Sequence, residues 1–538
     1  MISSMGMAGA LLAATAALIV GDWVWLGSAV QMPASPLAPS EKVHCVSYAP
    51  FRGEQTPLGP EIAVDPGQIE QDLAQLKAIT NCVRTYSIDH GLDQIAGMAK
   101  RHGLEVLQGL WLSSFPERNR RQIETTVELA RRYPDVIKAI VVGNEVLLRG
   151  ELSSPDLAST IREVKRRVTM PVTYADVWEL WLRHPEIAPE VDFITIHILP
   201  YWEDFPIPAG HAAEHVDAIR QRVAASFPGK EILVGEFGWP SAGRMREGAL
   251  PSPVNQARTM HEVLSMAKRN NYRVNLIEAY DQPWKRELEG TVGGHWGMLD
   301  AYRRVPKFSW GGTVSDRPLW PWQAAGGIAL AAVTFLAAYV CRPAKAPADL
   351  RLWLPIAATA LASGGLVGWT IVNVPLESLT LGDWLRSLGW AGTAILAPVL
   401  AGATLASGRT VPSFAEILSR RARAAVASKS ALELAAGALL IATAVLSVQA
   451  ALGLVFDPRY RDFPFAPLTG AVIPFLFLAK WRRRPRAGVA ELVMAALLAA
   501  AAVYIVLNEG LANWQACWFA AGLAALVLIL VRAPAVPG

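Results

Sequence analysis

Two short runs in this chain each carry a buried-looking apolar stretch onto a carboxylate: VVGNE at residues 141–145, ending on Glu145, and LVGEFGWPS at residues 233–241, carrying Glu236. Two carboxyl groups that face each other about 5–5.5 Å apart can break a glycosidic bond with retention of configuration. One is protonated and donates to the leaving oxygen, while the other is ionised and attacks the anomeric carbon. The charge of the second helps to hold the proton on the first. Neither run is persuasive alone, since Asn-Glu is a common dipeptide and Gly-Glu after an apolar run is usually a turn. The elements that position the two carboxylates therefore decide the matter.

Between residues 42 and 310 apolar runs alternate with amphipathic helical stretches, the pattern of a parallel sheet with crossover helices. The strand candidates are VHCVSYA from Val43, CVRTYS from Cys82, LEVLQGLWL from Leu104, IKAIVVGNE from Ile137, PVTYADV from Pro171, VDFITIHIL from Val191, EILVGEF from Glu231 and VNLIEAY from Val274. Asp65-Pro66 reads as an N-cap followed by a first-turn proline, with Ile69, Leu73, Leu76 and Ile79 at helical spacing after it. Further helices centre on Ile95, Val127, Ile161, Val216 and Val263, and Gly103 is a C-terminal cap. Eight strand-helix units predict an α/β fold, a (β/α)8 TIM barrel with its active site at the C-terminal strand ends. Glu145 closes the fourth strand and Glu236 nearly closes the seventh.

The segment of residues 42–310 resembles glycoside hydrolase family 17, the β-1,3-glucanases and β-1,3-glucanosyltransferases. The residues that carry the resemblance are VRTYS at 83–87, VVGNE at 141–145, Pro200-Tyr201, GEFGWPSAG at 235–243 and EAYDQPWK at 278–285. It covers residues 42–310 and none of the remainder. It implies Glu145 as acid/base, Glu236 as nucleophile, and Asn144 as a hydrogen-bond partner of the sugar 2-hydroxyl. Tyr201 is expected either to bond the nucleophile or to cap the barrel, and Arg84 either to fix the nucleophile's charge or to form a structural ion pair. Tyr48 and Tyr86, near the ends of the first two strands, are further candidate substrate contacts. Trp239, Trp284, Trp111 and Trp178 stand at or just after strand ends, where indoles stack on sugar rings, although each alone is as well explained by packing. Glu278, Asp281 and Lys285 are polar groups at the mouth. Gln282 stands where the fungal pattern has an acidic residue, so an accessory carboxylate there is not expected. His197 reads as a core or subsite histidine, because no second His or Cys has ligand spacing; no metal and no cofactor are expected.

Beyond Pro318 the 538-residue chain changes character, into Ala, Leu and Val tracts long enough to cross a bilayer. Spans are predicted near residues 320–340, 352–374, 384–407, 431–455, 465–480, 488–507 and 512–531, an all-α bundle of about seven transmembrane helices within residues 318–532. Residues 1–30 add an apolar segment, read as an uncleaved anchor with a signal peptide as the alternative. Basic residues gather in alternate loops: Arg342, Lys345 and Arg351, then Arg409, Arg420, Arg421, Arg423 and Lys429, then Lys480, Arg482, Arg483, Arg484 and Arg486. The positive-inside rule makes those loops cytoplasmic and exports the barrel, which predicts a multi-pass protein of a bacterial inner membrane with a periplasmic catalytic domain. Cys45 and Cys82 read as two buried thiols, a disulfide being allowed in that compartment.

The net charge of +4 is small and does not suggest a nucleic-acid partner; the expected partners are a β-glucan and membrane lipid. Bacterial relatives with this arrangement are associated with periplasmic β-1,3/β-1,6 glucans, so the resemblance implies glucan remodelling or branching, including β-1,6 linkage. A hydrolytic β-1,3-glucanase is the alternative, and a glucan-binding transporter or assembly scaffold is a third reading from another class. The loops show no nucleotide-sugar motif, so a separate glucan synthase is expected to supply the polymer.

Overall fold

The computed structural model describes residues 4–59, 63–344, 349–418, 429–481 and 487–531. The chain forms two compact units, one of Val30–Ala242 with Gly248–Val314, the other of Met1–Ala29, Gly243–Glu247 and Ser315–Gly538.

The first unit is the expected barrel. Its strands are β1 (Cys45–Ser47), β2 (Cys82–Arg84), β3 (Glu105–Leu110), β4 (Ile137–Asn144), β5 (Val172–Val177), β6 (Ile194–His197), β7 (Ile232–Phe237) and β8 (Val274–Leu276), and they close in sequence order. Every neighbouring pair is parallel, and β8 returns to β1 through Cys45 opposite Asn275. Strands in such a barrel are covered on both faces, which is why they appear in the sequence as near-continuous apolar runs. Each falls inside its predicted run but is shorter, because the flanking residues have left the ladder for the connecting loops.

Helices form where they were expected. In α1 (Pro66–Leu76), Asp65 Oδ2 accepts from the Gln68 amide at 3.1 Å, and Pro66 takes the first-turn position. Ile69, Leu73 and Leu76 are buried against the barrel, whereas Ile79 lies beyond the helix. Loss of such a cap costs about 1 kcal/mol. Gly103, with φ +65°, ends α2 (Ile95–His102) in the left-handed conformation. Ser153 and Ser252 cap α4 (Ser154–Lys165) and α7 (Pro253–Arg269), which follow β4 and β7; α3 (Pro116–Arg132), α5 (Trp178–Arg183) and α6 (Ala212–Ser226) complete the set.

Side-chain alternation sorts the barrel interior into layers. Cys45, Cys82, Leu107, Ala139, Val141, Ala175, Phe193 and Leu233 make one apolar cluster. Two residues further along their strands, Ser47, Arg84, Thr195 and then His197 make a buried polar layer beneath the mouth. Cys45 and Cys82 are not free thiols: they form a disulfide. Val46 lies opposite Val83 in the β1/β2 ladder, which places the two cysteines side by side with Cα atoms 4.4 Å apart. The 37-residue separation in sequence conceals that register.

The other unit is helical. Among the described residues, seven of its helices are long and apolar enough to cross a membrane: Ser4–Leu26, Trp320–Cys341, Leu350–Glu377, Leu381–Ala406, Ala431–Phe456, Val489–Glu509 and Trp514–Val531. The span predicted at 465–480 is an apolar helix of 17 residues, Phe465–Trp481. Leu336, Val340, Leu385, Val503 and Leu507 are exposed on these helices. Among the basic residues used to orient the chain, Lys345, Arg420, Arg421, Arg423, Arg482, Arg483, Arg484 and Arg486 lie outside the described residues.

Candidate active site

The end of β4 makes an unusual turn. Gly143 has φ +85°, a Cβ there would meet Val146 Cγ2 at 2.5 Å, and Glu145 itself is left-handed at φ +53°. A non-glycine residue in that region is strained and persists only where its surroundings hold it. Here the Glu145 amide donates to the Ala175 carbonyl of β5 at 2.8 Å. The turn presents the carboxyl to the mouth. On β7, Gly235 lies against β6, since a Cβ at that position would meet Thr195 Cγ2 at 2.2 Å. The next residue is Glu236.

The two carboxylates meet as expected. One oxygen of Glu145, one of Glu236 and a nitrogen of His197 lie within 4.8 Å of one another. Arg84, buried on β2, donates from one terminal nitrogen to Glu236 Oε1 at 3.0 Å and to the Gly235 carbonyl at 2.8 Å. Its other terminal nitrogen donates to Asn144 Oδ1. The Tyr86 hydroxyl donates to the same Glu236 oxygen at 2.9 Å. Burial, then the Glu236 charge, push that phenol well above its ordinary range, so it stays a donor. Glu145 is linked differently: His197 Nδ1 lies 2.9 Å from its Oε1. Its side chain is 24% exposed, against 5% for Glu236. Burial pushes the Glu145 carboxyl up, but the His197 hydrogen bond and the positive charges of Arg84 and Lys285 outweigh it and hold the group below the ordinary range.

Just beyond β8, Glu278 is buried and ion-paired to Lys285. Burial pushes its carboxyl up to about 7, against the opposing charge of Lys285. Asp281 is also buried, but its partners are the Lys307 ammonium at 2.6 Å and the Gly297 amide at 2.9 Å. Burial works against its charge and Lys307 and His295 favour it, for a net shift downward. Trp284 is half-buried, with its indole N–H on Gln282 Oε1.

The remaining candidates are placed by packing. Tyr48 is not brought into this group: its ring is buried edge-on to Tyr280, and its hydroxyl donates to Asp72 of α1 at 3.0 Å. Trp239 is fully buried, with its indole N–H on the Leu250 carbonyl, so it offers no open face to a sugar. Tyr201 is fully buried, its ring edge-on to Trp202, Trp239 and Trp296. Half-buried Trp202 stacks near-parallel to Trp296 and was not singled out from the sequence, although it directly follows the Pro200-Tyr201 signal. The Arg149 guanidinium covers Trp111 at 4.0 Å from the ring centroid, and Trp178 bonds Glu203 through its indole N–H. His197, read as a core or subsite residue, touches both carboxylate neighbourhoods.

Glu145, His197 and Glu236 present three atoms at a spacing a metal ion could use. The Arg84 guanidinium, 3.0 Å from Glu236 Oε1 and 3.4 Å from His197 Nε2, already supplies positive charge at that point, which disfavours a dication there. The arrangement suits an acid and a nucleophile that operate directly.

The model of the BtgE/BtgC glycoside hydrolase domain matches residues 45–297. A glucan 1,3-beta-glucosidase of Arthroderma benhamiae is 28% identical over 264 residues, covering 46% of this chain and 84% of that protein. Glucan 1,3-beta-glucosidase BGL2 of Candida albicans is 26% identical over 258 residues, covering 44% and 83%. Among solved structures, a family 17 β-1,3-glucanosyltransferase of Rhizomucor miehei aligns at 25% identity and a TM-score of 0.44, over 50% of this chain and 97% of its own. Residues 45–297 of this chain thus match the BtgE/BtgC glycoside hydrolase domain, and the chain is a glycosidase or transglycosylase.

Proposed function

We propose that the barrel cleaves β-1,3-glucosidic bonds through a glucosyl-enzyme intermediate, with Glu145 as acid/base and Glu236 as nucleophile. The observation that carries this reading is the approach of one oxygen from each carboxylate to within 4.8 Å. That oxygen–oxygen approach is compatible with two carboxyl groups about 5–5.5 Å apart, the spacing of retaining enzymes, and favours it over the roughly 6.5–9.5 Å of inverting ones. The surroundings divide the roles. Arg84 and Tyr86 both donate to Glu236 Oε1, a set of partners suited to an anion that attacks carbon. Glu145 is the more open of the two, as a group that meets leaving and entering oxygens must be. Asn144, held by Arg84, stands beside the acid for the sugar 2-hydroxyl. Lys285 and Trp284, both only partly buried, form further walls of the glucan site. The β-1,3-glucan substrate is supported by the names of the fungal relatives.

In this reading the sugar passes to another glucan, remodelling the polymer or adding β-1,6 linkages. Such exchange needs no activated donor and suits a compartment without nucleotide sugars; a separate synthase supplies the chains. Membrane attachment through the apolar helices, with the barrel on the periplasmic side, is supported by the basic loops and by the Cys45–Cys82 disulfide, a bond that persists in oxidising compartments. The hydrolytic alternative is favoured by the relatives' names, which describe glucosidases. Incubating the detergent-solubilised full chain with laminari-oligosaccharides and analysing product length and linkage separates the two. Products longer than the substrate, with new linkages, establish transfer; glucose and short fragments alone refute it.

A further inference from the structure

His197 has an environment the reaction described above does not explain. Its imidazole is fully buried at the end of β6, and both ring nitrogens are engaged. Nδ1 lies 2.9 Å from Glu145 Oε1. Nε2 lies 3.4 Å from a terminal nitrogen of Arg84 and 3.5 Å from Glu236 Oε1. A guanidinium nitrogen only donates, so the Nε2 facing it carries the lone pair. The Glu236 oxygen beside it already accepts from Arg84 and Tyr86 and does not require a third donor. The ring proton therefore belongs on Nδ1, where it is donated to Glu145.

We propose that His197 is a positioning residue for the reaction: its Nδ1–H holds Oε1 of the acid/base while its Nε2 is fixed by the Arg84 that also holds the nucleophile. One ring then keeps both carboxylates in a common frame, and the second oxygen of Glu145 is left to carry the proton to the glycosidic oxygen. The same donation favours the ionised form of Glu145, which is the base that the second half of the reaction requires. The charged groups around the ring are Arg84 on β2, Glu145 after β4, Asp176 on β5 and Glu236 on β7, with Glu278 and Lys285 beyond β8. Asp176 bonds the Tyr174 hydroxyl and acts on the ring only at a distance. This inference rests on the retaining reading above.

The test uses the full solubilised chain and laminari-oligosaccharides. In His197→Ala the upper limb of the kcat/KM profile is expected to move up by about 1 pH unit, since the acid loses a hydrogen bond to its charged form. kcat is expected to fall roughly tenfold or more, with little change in KM. His197→Asn, whose amide nitrogen stands close to the position of Nδ1, is expected to restore most of the rate and the original limb. An unmoved limb in His197→Ala, or a folded His197→Asn without recovery, overturns the proposal. A wild-type chain that turns over no glucan refutes the activity reading instead. In that case the tautomer decides: 15N-histidine spectra of the wild type, assigned by loss of one ring in His197→Asn, are expected to show the Nδ1–H form, and the Nε2–H form overturns the proposal.

Discussion

Replacing Glu145 by alanine separates its role from that of every neighbour. The side chain is 24% exposed and its hydrogen bond is to His197, so truncation removes little packing and leaves the Arg84–Glu236–Tyr86 group in place. On the proposed reading, what is lost is the proton donor. General acid catalysis contributes roughly 10²–10⁴-fold, equivalent to about 2.7–5.5 kcal/mol at 1.36 kcal/mol per tenfold. For a glucan, whose leaving group is a sugar hydroxyl, kcat/KM is expected to fall by that factor. For a dinitrophenyl β-laminarioside, whose leaving group departs without a proton, the first step is expected to lose less than about tenfold. The glucosyl-enzyme then accumulates, because the base that activates the acceptor is missing too. Azide needs no base and is expected to enter the space left by the carboxylate, on the face opposite Glu236, to release a glucosyl azide of β configuration. The assay is a burst-phase measurement on the activated substrate with and without azide, followed by product analysis. Equal losses on both substrates, or an α-azide, would refute the assignment of Glu145.

The downward hold on Glu145 has a direct consequence for pH. An acid held below the ordinary carboxylate range loses its proton as pH rises through that lowered value, so kcat/KM on laminari-oligosaccharides is expected to fall on the acid side of neutrality; a rate that rises toward neutrality contradicts it. Asp281→Asn leaves the half-buried Lys307 without its counter-charge and is expected to cost up to about 3 kcal/mol, measured by denaturation of the barrel followed by tryptophan fluorescence. Because the folded carboxyl is held below its ordinary value, this contribution is present above the unfolded value and is lost as pH falls through the folded one, so wild type and variant are expected to converge in acid. A difference that persists or grows in acid excludes the ion pair as its source. Trp239→Ala is expected to cost about 3–5 kcal/mol of stability with the KM for glucan little changed. A large KM rise without loss of stability would return this indole to the sugar site.

The eight strands and both carboxylates were legible because they depend on local pattern. A strand buried on both faces is an apolar run, and the residue that ends it is at the barrel mouth by topology. The strand ends were overestimated because Tyr48 after β1 and Phe193 before β6 continue the apolar pattern outside the ladder; packing, not pairing, requires them to be apolar. Tyr48 shows the same effect in function: its position near the end of β1 suggested the site, but its side chain serves the Arg52, Asp72 and Arg304 cluster against α1. Trp239 belongs to a motif of the family, yet whether an indole shows its face or hides it depends on how the chain after β7 folds back through Leu250.

What remained hidden in the sequence is register between strands far apart in the chain. Cys45 meets Cys82 because Val46 is opposite Val83. His197 reaches both carboxylates for a similar reason. The β6/β7 ladder shifts between Ile196 and His197, so that His197 pairs with Glu236 instead of the preceding glycine. Without that bulge, a strict period of two would set His197 against Gly235 and give it no partner on β7. A single slipped residue thus turns what reads as a core histidine into a side chain that lies between Glu145 and Glu236. Hydrophobic pattern carries no trace of such a slip, since both registers bury the same apolar residues on the neighbouring strands. The chemistry of the site is therefore specified partly by an irregularity in the sheet, beside which Gly235 leaves the space that Thr195 of β6 occupies.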